Sequence, residues 1–181
     1  MAEISQCQRC ELCQGRTRVA PGEGNLNASI MLVGEGPGRE EDLSGRPFVG
    51  PAGQLLDKML ASIALERSDV YITNVVKCRP PGNRTPKDEE ALACMGYLRQ
   101  QFVLVQPQVI VCLGATAARY LYDPEVRITR QRGQWMEKKG VWFLPTYHPA
   151  ALLRDVSKKA DSWQDMQALR KKAKELGLCR G

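Results

Sequence analysis

The sequence predicts an α/β fold of three layers, in which helices cover both faces of a central four-stranded parallel sheet. Four short apolar runs alternate along the chain with segments of helical periodicity. Polar residues lie at or shortly past the ends of three of these runs, where an open α/β sheet binds its ligand. The predicted strands cover residues 30–33, 70–76, 109–113 and 141–144.

The length of 181 residues fits a single domain covering residues 1–181. Residues 1–29 are interpreted as an N-terminal arm, because they end in a stretch rich in glycine, proline and asparagine. No run of 18 apolar residues is present and the start of the chain is polar, so neither a membrane span nor a signal peptide is predicted. We therefore expect a cytoplasmic protein that acts as a monomer.

The first strand, residues 30–33, leads into a loop that is unusually rich in glycine. Glycines at this density let backbone amides approach a ligand closely. The loop matches neither the dinucleotide fingerprint nor a Walker motif, so nucleotide binding is not indicated. Its glycines are Gly34, Gly36, Gly38, Gly45, Gly50 and Gly53, and between them lie Glu35, Glu40, Glu41, Asp42 and Phe48.

A helix is predicted over residues 52–65 from its apolar periodicity. The second strand, residues 70–76, contains Asn74, which is unusual because asparagine is poor in strands. Two interpretations stay open: a side chain that pairs with the amide edge of a ligand, or one that caps a turn. The next helix is predicted to start at residues 85–89, with Thr85 as its capping hydroxyl, and to run to about residue 103.

The third strand, residues 109–113, contains Cys112, for which we expect a buried, inert thiol. A short helix follows, and residues 126–141 are predicted to form a hairpin or loop. The last strand delivers His148, the only histidine of the chain, in a Tyr-His-Pro turn. Its position admits a functional and a structural interpretation equally. A basic amphipathic helix is predicted from about residue 155 onward.

The net charge of +6 is unevenly distributed along the chain. A solvated surface and a phosphate-binding surface both fit such a distribution. The basic residues between the third and fourth strands are Arg127, Arg130, Arg132, Lys138 and Lys139.

Seven cysteines indicate metal or redox chemistry rather than a disulfide framework. Cys7 and Cys10 form a C-x-x-C pair, Cys13 follows them, and Cys78 and Cys94 come much later. Zinc and iron–sulfur centres both use cysteine ligands, so the residues alone leave the metal open.

Four motifs together resemble the family 4 uracil-DNA glycosylases, over nearly the whole chain. They are Gly-Glu-Gly-Pro-Gly (34–38) with Glu-Asp (41–42), Gly-Arg-Pro-Phe-Val-Gly (45–50), Thr-Asn-Val-Val-Lys-Cys-Arg-Pro-Pro (73–81) and His-Pro-Ala-Ala-Leu-Leu (148–153). The resemblance implies hydrolysis of the N-glycosidic bond of uracil in single- and double-stranded DNA, which leaves an abasic site for base-excision repair. It also implies a uracil-DNA glycosylase-like α/β/α fold and a 4Fe-4S cluster.

The cluster ligands implied by the resemblance are Cys7, Cys10, Cys78 and Cys94. Cys13 is an additional cysteine at a position that the family does not need, and its participation stays open. The cluster would be structural, since no residue of the chain demands redox catalysis.

The resemblance also implies a pocket for a uracil that has left the base stack. Phe48 would stack on the base, Asn74 would read its O4 and N3–H edge, and His148 would donate to the developing O2 oxyanion. Glu35 would position water or stabilise the sugar cation. Related glycosylases carry aspartate where this chain has Gly36, so the general base is not identified. The implied pocket residues are Glu35, Gly36, Pro37, Glu41, Phe48, Asn74, Asn83 and His148; Glu41 is assigned to the C5 side of uracil and Asn83 to site support.

Beyond His148, the resemblance implies that Leu152 or Leu153 enters the duplex, with Arg154 near phosphate. The alternative is that these leucines begin the core face of the last helix. A monofunctional enzyme is expected, since no lysine lies at the pocket motifs to form a Schiff base. The competing hypotheses are a noncatalytic iron–sulfur or zinc DNA-binding module and a glycosylase for another deaminated base.

Overall fold

The computed structural model describes residues 2–178 and contains one six-stranded mixed sheet. Its four central strands are β2 (Ile30–Gly34), β3 (Tyr71–Asn74), β4 (Val109–Leu113) and β6 (Val141–Thr146). They are parallel and lie in the order β3-β2-β4-β6. The four strands predicted from the apolar runs are therefore confirmed.

The prediction of only four strands was wrong, because two short antiparallel strands extend the sheet at its edges. They are β1 (Glu23–Gly24), which pairs with β3, and β5 (Met136–Lys138), which forms a hairpin with β6. A strand of two or three residues carries too few side chains for an apolar alternation to be recognised. At Gly24, a Cβ atom would lie 2.1 Å from the Val70 carbonyl oxygen, so glycine permits this close pairing.

The helices form a layer on each face of the sheet. Their bounds are α1 (Ala2–Ser5), α2 (Leu12–Gly15), α3 (Arg39–Ser44), α4 (Pro51–Ala61), α5 (Asp88–Val105), α6 (Ala115–Leu121), α7 (Ile128–Gln131), α8 (Pro149–Arg154) and α9 (Lys159–Glu175), with 3-10 turns at Arg67–Asp69, Pro81–Asn83 and Val156–Lys158.

Alternate residues of the central strands supply two separate cores. Met31 and Val33 of β2 face the core shared with α5 and α6, whereas Ile30 and Leu32 face the core shared with α4 and α9. This period of two confirms the three-layer arrangement. Cys112 is fully buried in the first core, and burial raises the pKa of its thiol to about 12, as expected for an inert cysteine.

Helix α5 begins at Asp88, within the predicted start at residues 85–89, but Thr85 does not cap it. The Glu90 carboxylate accepts a hydrogen bond from the Lys87 backbone N–H at 2.7 Å and pairs with Arg84 at 2.7 Å. An acidic side chain in the first turn thus takes the role that had been assigned to the threonine hydroxyl.

The basic segment between β4 and β6 does not act as one surface. Arg132 forms an ion pair with Asp165 on α9 at 2.9 Å and is a structural residue, whereas the side chains of Arg127 and Arg130 are exposed. Within residues 2–178, no helix combines the length and apolarity that a membrane span requires. Cys179 lies outside the described residues.

Candidate active site

A cavity of about 900 Å³ opens where β2, β3, β4 and β6 end. Such a position at the carboxyl ends of parallel strands is the usual ligand site of an open α/β sheet. The cavity brings together most of the predicted site residues. Its lining includes Glu35, Gly36, Pro37, Glu41, Phe48, Asn74, Asn83, His148, Leu153 and Arg154.

Asn74 ends β3 and presents a buried amide to this cavity. The residue is 1% exposed, and its Oδ1 atom has no hydrogen-bond partner. Among the described residues, only Ser162 Oγ shares that condition. Since a buried polar atom without a partner is costly, the Asn74 oxygen is a vacant acceptor for a ligand donor.

Gly34 is the point at which the asparagine amide and the phenylalanine ring meet. A Cβ atom on Gly34 would lie 2.5 Å from Asn74 Oδ1 and 2.5 Å from Phe48 Cζ. The last residue of β2 must therefore be glycine for both groups to occupy the same corner of the cavity.

The backbone of Phe48 lies in the left-handed region, which residues with a bulky side chain rarely adopt. Its φ angle is +52°, and its carbonyl oxygen accepts a hydrogen bond from the Arg67 guanidinium at 2.9 Å. A Cβ atom on Gly53 would lie 1.8 Å from that carbonyl oxygen, so α4 passes directly against the loop. A left-handed residue this constrained is typical of a functional site.

Glu41 acts as a clamp on the same loop. Its Oε1 atom accepts hydrogen bonds from the backbone N–H groups of Val49 (2.9 Å) and Gly50 (2.8 Å), and Oε2 accepts from Gly38 N–H (3.1 Å). The carboxylate thereby joins the first turn of α3 to both sides of the loop that carries Phe48. Contact with the C5 side of uracil stays a prediction.

Glu35 follows β2 and contacts a residue that sequence reasoning missed. Thr116, in the first turn of α6, donates a short hydrogen bond from its hydroxyl to Glu35 Oε2. Thr116 follows β4 by three residues, so it reaches the same edge of the sheet as the predicted residues. The sequence could have indicated Thr116 only by its position, since it stands in Gly-Ala-Thr just after a predicted strand.

His148 precedes α8 and stacks near Phe48, with ring centroids 5.5 Å apart and an interplanar angle of 29°. Its Nδ1 atom accepts a hydrogen bond from the Ala150 backbone N–H at 3.1 Å. Burial, and then the charge of Arg154, lower the pKa of His148 to about 4, although Glu41 opposes this. The ring is neutral at pH 7 with its proton on Nε2, which makes Nε2–H a hydrogen-bond donor.

Asn83 occupies the rim of the cavity rather than the corner that holds Asn74 and Phe48. Its Oδ1 atom accepts a hydrogen bond from Arg79 Nε at 2.7 Å, and its φ angle is +56°. The side chain therefore shapes the loop after Cys78, and its support of a bound base stays a prediction.

The two leucines after His148 have different environments. Leu152 is 2% exposed and does not line the cavity, so in this structure it belongs to the core and cannot contact DNA. Leu153 is 47% exposed at the cavity rim, and Arg154 beside it is exposed too. The α-helical spacing of α8 turns consecutive leucines to different faces, which the sequence could not assign.

The four predicted cysteine ligands lie together between the N-terminal arm and α5. Cys78 and Cys94 are buried in one core, and Cys10 packs against it. Each sulfur has a hydrogen-bond donor: the Tyr97 hydroxyl for Cys7, the Leu12 N–H for Cys10, Arg16 Nη1 (3.3 Å) for Cys78 and the Lys77 N–H for Cys94.

Burial nevertheless raises the pKa of the Cys10, Cys78 and Cys94 thiols, that of Cys94 to about 11. Thiolates at these positions therefore need a positively charged centre beside them, which an iron–sulfur cluster would supply. No group of three cysteine, histidine or carboxylate side chains within residues 2–178 has the arrangement that a single metal ion requires. Cys13 lies on α2, and its backbone N–H donates to the Cys10 carbonyl at 3.2 Å.

The known proteins reported below that resemble this chain are all described as uracil-DNA glycosylases. Residues 21–170 match the family model described as the uracil DNA glycosylase superfamily. The chain is 51% identical over 158 residues to a type-4 uracil-DNA glycosylase of Thermotoga maritima. This alignment covers 85% of this chain and 81% of that protein. A type-4 uracil-DNA glycosylase of Archaeoglobus fulgidus is 52% identical over 159 residues, with coverages of 83% and 80%. A type-5 uracil-DNA glycosylase of Pyrobaculum aerophilum is 36% identical over 152 residues, with coverages of 75% and 67%.

Proposed function

This chain belongs to the uracil DNA glycosylase superfamily, and we propose that it removes uracil from single- and double-stranded DNA in base-excision repair. The enzyme is a monofunctional glycosylase that hydrolyses the N-glycosidic bond, releases free uracil and leaves an abasic site. The observation that carries the proposal is the vacant Asn74 acceptor, which lies beside the Phe48 ring in the cavity that His148 also lines.

Asn74 reads the edge of the flipped base. Its Oδ1 atom accepts the uracil N3–H and its amide N–H donates to O4, so the buried Asn74 oxygen gains the partner that it lacks. Cytosine presents an acceptor at N3 and a donor at N4, which would leave both asparagine groups mismatched. The Phe48 ring supplies a stacking surface for the base.

His148 stabilises the leaving group. Bond cleavage places negative charge on uracil O2, and a neutral imidazole that donates from Nε2 interacts more strongly with this oxyanion than with the ground state. Since Nδ1 already accepts from Ala150 N–H, the tautomer that donates is set before the substrate binds.

Glu35 acts on the sugar side of the reaction. The Thr116 hydroxyl occupies Oε2, so Oε1 is the atom available to orient the attacking water or to stabilise positive charge on the sugar. Gly36 carries no side chain, and a Cβ atom there would lie 2.7 Å from Val76 Cγ2. The backbone at Gly36 therefore packs against Val76, which follows β3 by two residues.

A 4Fe-4S cluster on Cys7, Cys10, Cys78 and Cys94 completes the proposal. When bound, it supplies cross-links between the N-terminal arm, the loop after β3 and α5, rather than redox chemistry. The exposed Leu153 and Arg154 contact the DNA around the flipped nucleotide. The same proposal includes a monomer that acts in the cytoplasm.

The test compares oligonucleotides that contain uracil, hypoxanthine or only normal bases, with alkali used to cleave any abasic site. Strand cleavage specific to uracil is expected from the wild type. Asn74→Ala should lower kcat/KM by about 10- to 1000-fold, because the base edge then has no partner. Asn27→Ala, at an exposed turn, is the matched control. Binding to DNA without any cleavage would favour the noncatalytic module, and cleavage at hypoxanthine alone would favour the other glycosylase.

A further inference from the structure

Lys77 is a buried lysine that lies directly behind the base-reading asparagine. It is 1% exposed, and its Nζ atom donates hydrogen bonds to the Asn74 carbonyl oxygen (2.6 Å), Thr73 Oγ1 (2.6 Å) and Gln101 Oε1 (2.7 Å). Burial lowers the pKa of Lys77 to about 7, whereas the three acceptors favour the ammonium form and satisfy all three of its protons. A charge at this depth is tolerated only with such partners.

The backbone of Lys77 is fixed as firmly as its side chain. Its carbonyl oxygen accepts from Ala20 N–H at 2.9 Å, and its N–H donates to the Cys94 sulfur. The other two acceptors of the ammonium are anchored as well, because Thr73 and Gln101 both donate to the Pro21 carbonyl, at 2.8 and 2.7 Å. The lysine therefore cannot shift without disturbing the arm, β3 and α5 together.

We propose that Lys77 is a positioning residue for base recognition, because its ammonium holds the Asn74 carbonyl and thereby fixes the direction in which the Asn74 amide faces the cavity. The inference rests on the proposed function, in which Asn74 reads uracil. Asn74 ends its strand, so pairing with Gly34 constrains it on one side and the lysine constrains it at the carbonyl. A displacement of about 1 Å at a recognition group costs on the order of 100-fold in rate.

The test is a double-mutant cycle of Lys77→Met with Asn74→Ala, measured with excess enzyme on a uracil oligonucleotide. Methionine has a similar length but no proton to donate. We expect Lys77→Met to lower kcat/KM about 10- to 100-fold in the wild-type background and less than about twofold in the Asn74→Ala background. A residue that acts only through Asn74 has nothing left to position there. The inhibition constant of free uracil should rise by a similar factor.

Gln101→Met is the matched control, since it breaks the same network and leaves the contact between Lys77 and Asn74 intact. It should lower the melting temperature and change kcat/KM by less than about threefold. If Lys77→Met does not fold, Lys77→Gln serves in the same cycle. Equal losses in both backgrounds, or full activity of a folded Lys77 variant, would overturn the inference. Failure of the wild type to release uracil would instead contradict the proposed function, before any variant is compared.

Discussion

At the scale of single residues, the site depends on groups whose state is fixed before substrate arrives. His148 is the clearest case, because its ring is neutral and its proton is directed by one backbone contact. The chain has no other histidine, so its titration and tautomer can be observed without overlap.

We predict that two-dimensional nuclear magnetic resonance of the single histidine will show an Nε2–H tautomer that titrates near pH 4. A histidine in the unfolded chain has a pKa near 6.5, so between about pH 6.5 and 4 it is protonated while the native ring stays neutral. Native stability should therefore fall as pH decreases from about 6.5 through 4, by up to about 3 kcal/mol.

His148→Ala should remove this acid dependence of stability and lower kcat much more than DNA affinity. A native titration near 6.5, or equal losses in kcat and in DNA affinity, would contradict the assigned role.

The lack of a side chain at Gly34 leads to a second prediction about a single residue. Gly34→Ala should lower kcat/KM at least about tenfold and destabilise the fold by roughly 1–3 kcal/mol, because the new methyl group overlaps the Asn74 amide and the Phe48 ring. Steady-state kinetics and denaturant unfolding measure the two effects. Gly15→Ala is the control, since no atom lies within 4 Å of its Cβ position. Normal activity of a folded Gly34→Ala variant would show that the two groups do not need this corner.

At the scale of elements, the loop between α3 and α4 is held by side chains rather than by regular structure. Glu41 binds it from α3, and Arg67 binds the carbonyl oxygens of Pro47 (2.8 Å) and Phe48 (2.9 Å) from the 3-10 turn before β3. Two charged residues thus fix the backbone that presents the Phe48 ring to the cavity.

Glu41→Gln should weaken this loop, because the amide NH2 group would face the Gly38 N–H, a donor opposite a donor. A loss of about 1–3 kcal/mol in unfolding free energy and a larger loss in kcat/KM than in DNA binding are expected. Glu89→Gln, at an exposed position on α5, is the charge-matched control. If Glu41→Gln and Glu89→Gln had the same unfolding free energy and the same kcat/KM, Glu41 would not hold the loop in the way proposed.

The main elements could be predicted because the buried strands are apolar runs and α4 has a clear periodicity. The cap of α5 could not, since two candidate N-terminal signals overlap and the Glu90 carboxylate outcompetes Thr85. Thr116, Arg67 and Lys77 were missed for a different reason. Their contacts with Glu35, Phe48 and Gln101 join residues that lie 19 to 81 positions apart in the chain, which no local pattern encodes.

At the scale of the whole molecule, the cysteine site joins the arm to the domain. Cys78→Ser should abolish visible cluster absorbance and lower the melting temperature, whereas Cys13→Ser should keep both close to wild type. Absorbance and iron and sulfide analysis of each purified variant provide the measurement. Loss of the cluster in Cys13→Ser but not in Cys78→Ser would place Cys13 among the ligands.

The contacts of the N-terminal arm also set an order of events during synthesis. Arg16 meets Cys78 across 62 residues, Glu11 meets Lys87 across 76, and Pro21 meets Gln101 across 80. The arm leaves the ribosome before these partners, since each of them lies more than sixty residues further along the chain. Cys7 and Cys10 are therefore made well before Cys78 and Cys94, the other two proposed cluster ligands. Closing loops of this length carries an entropic cost. Insertion of the proposed cluster would help to offset this cost, so its assembly would be one of the last steps of folding.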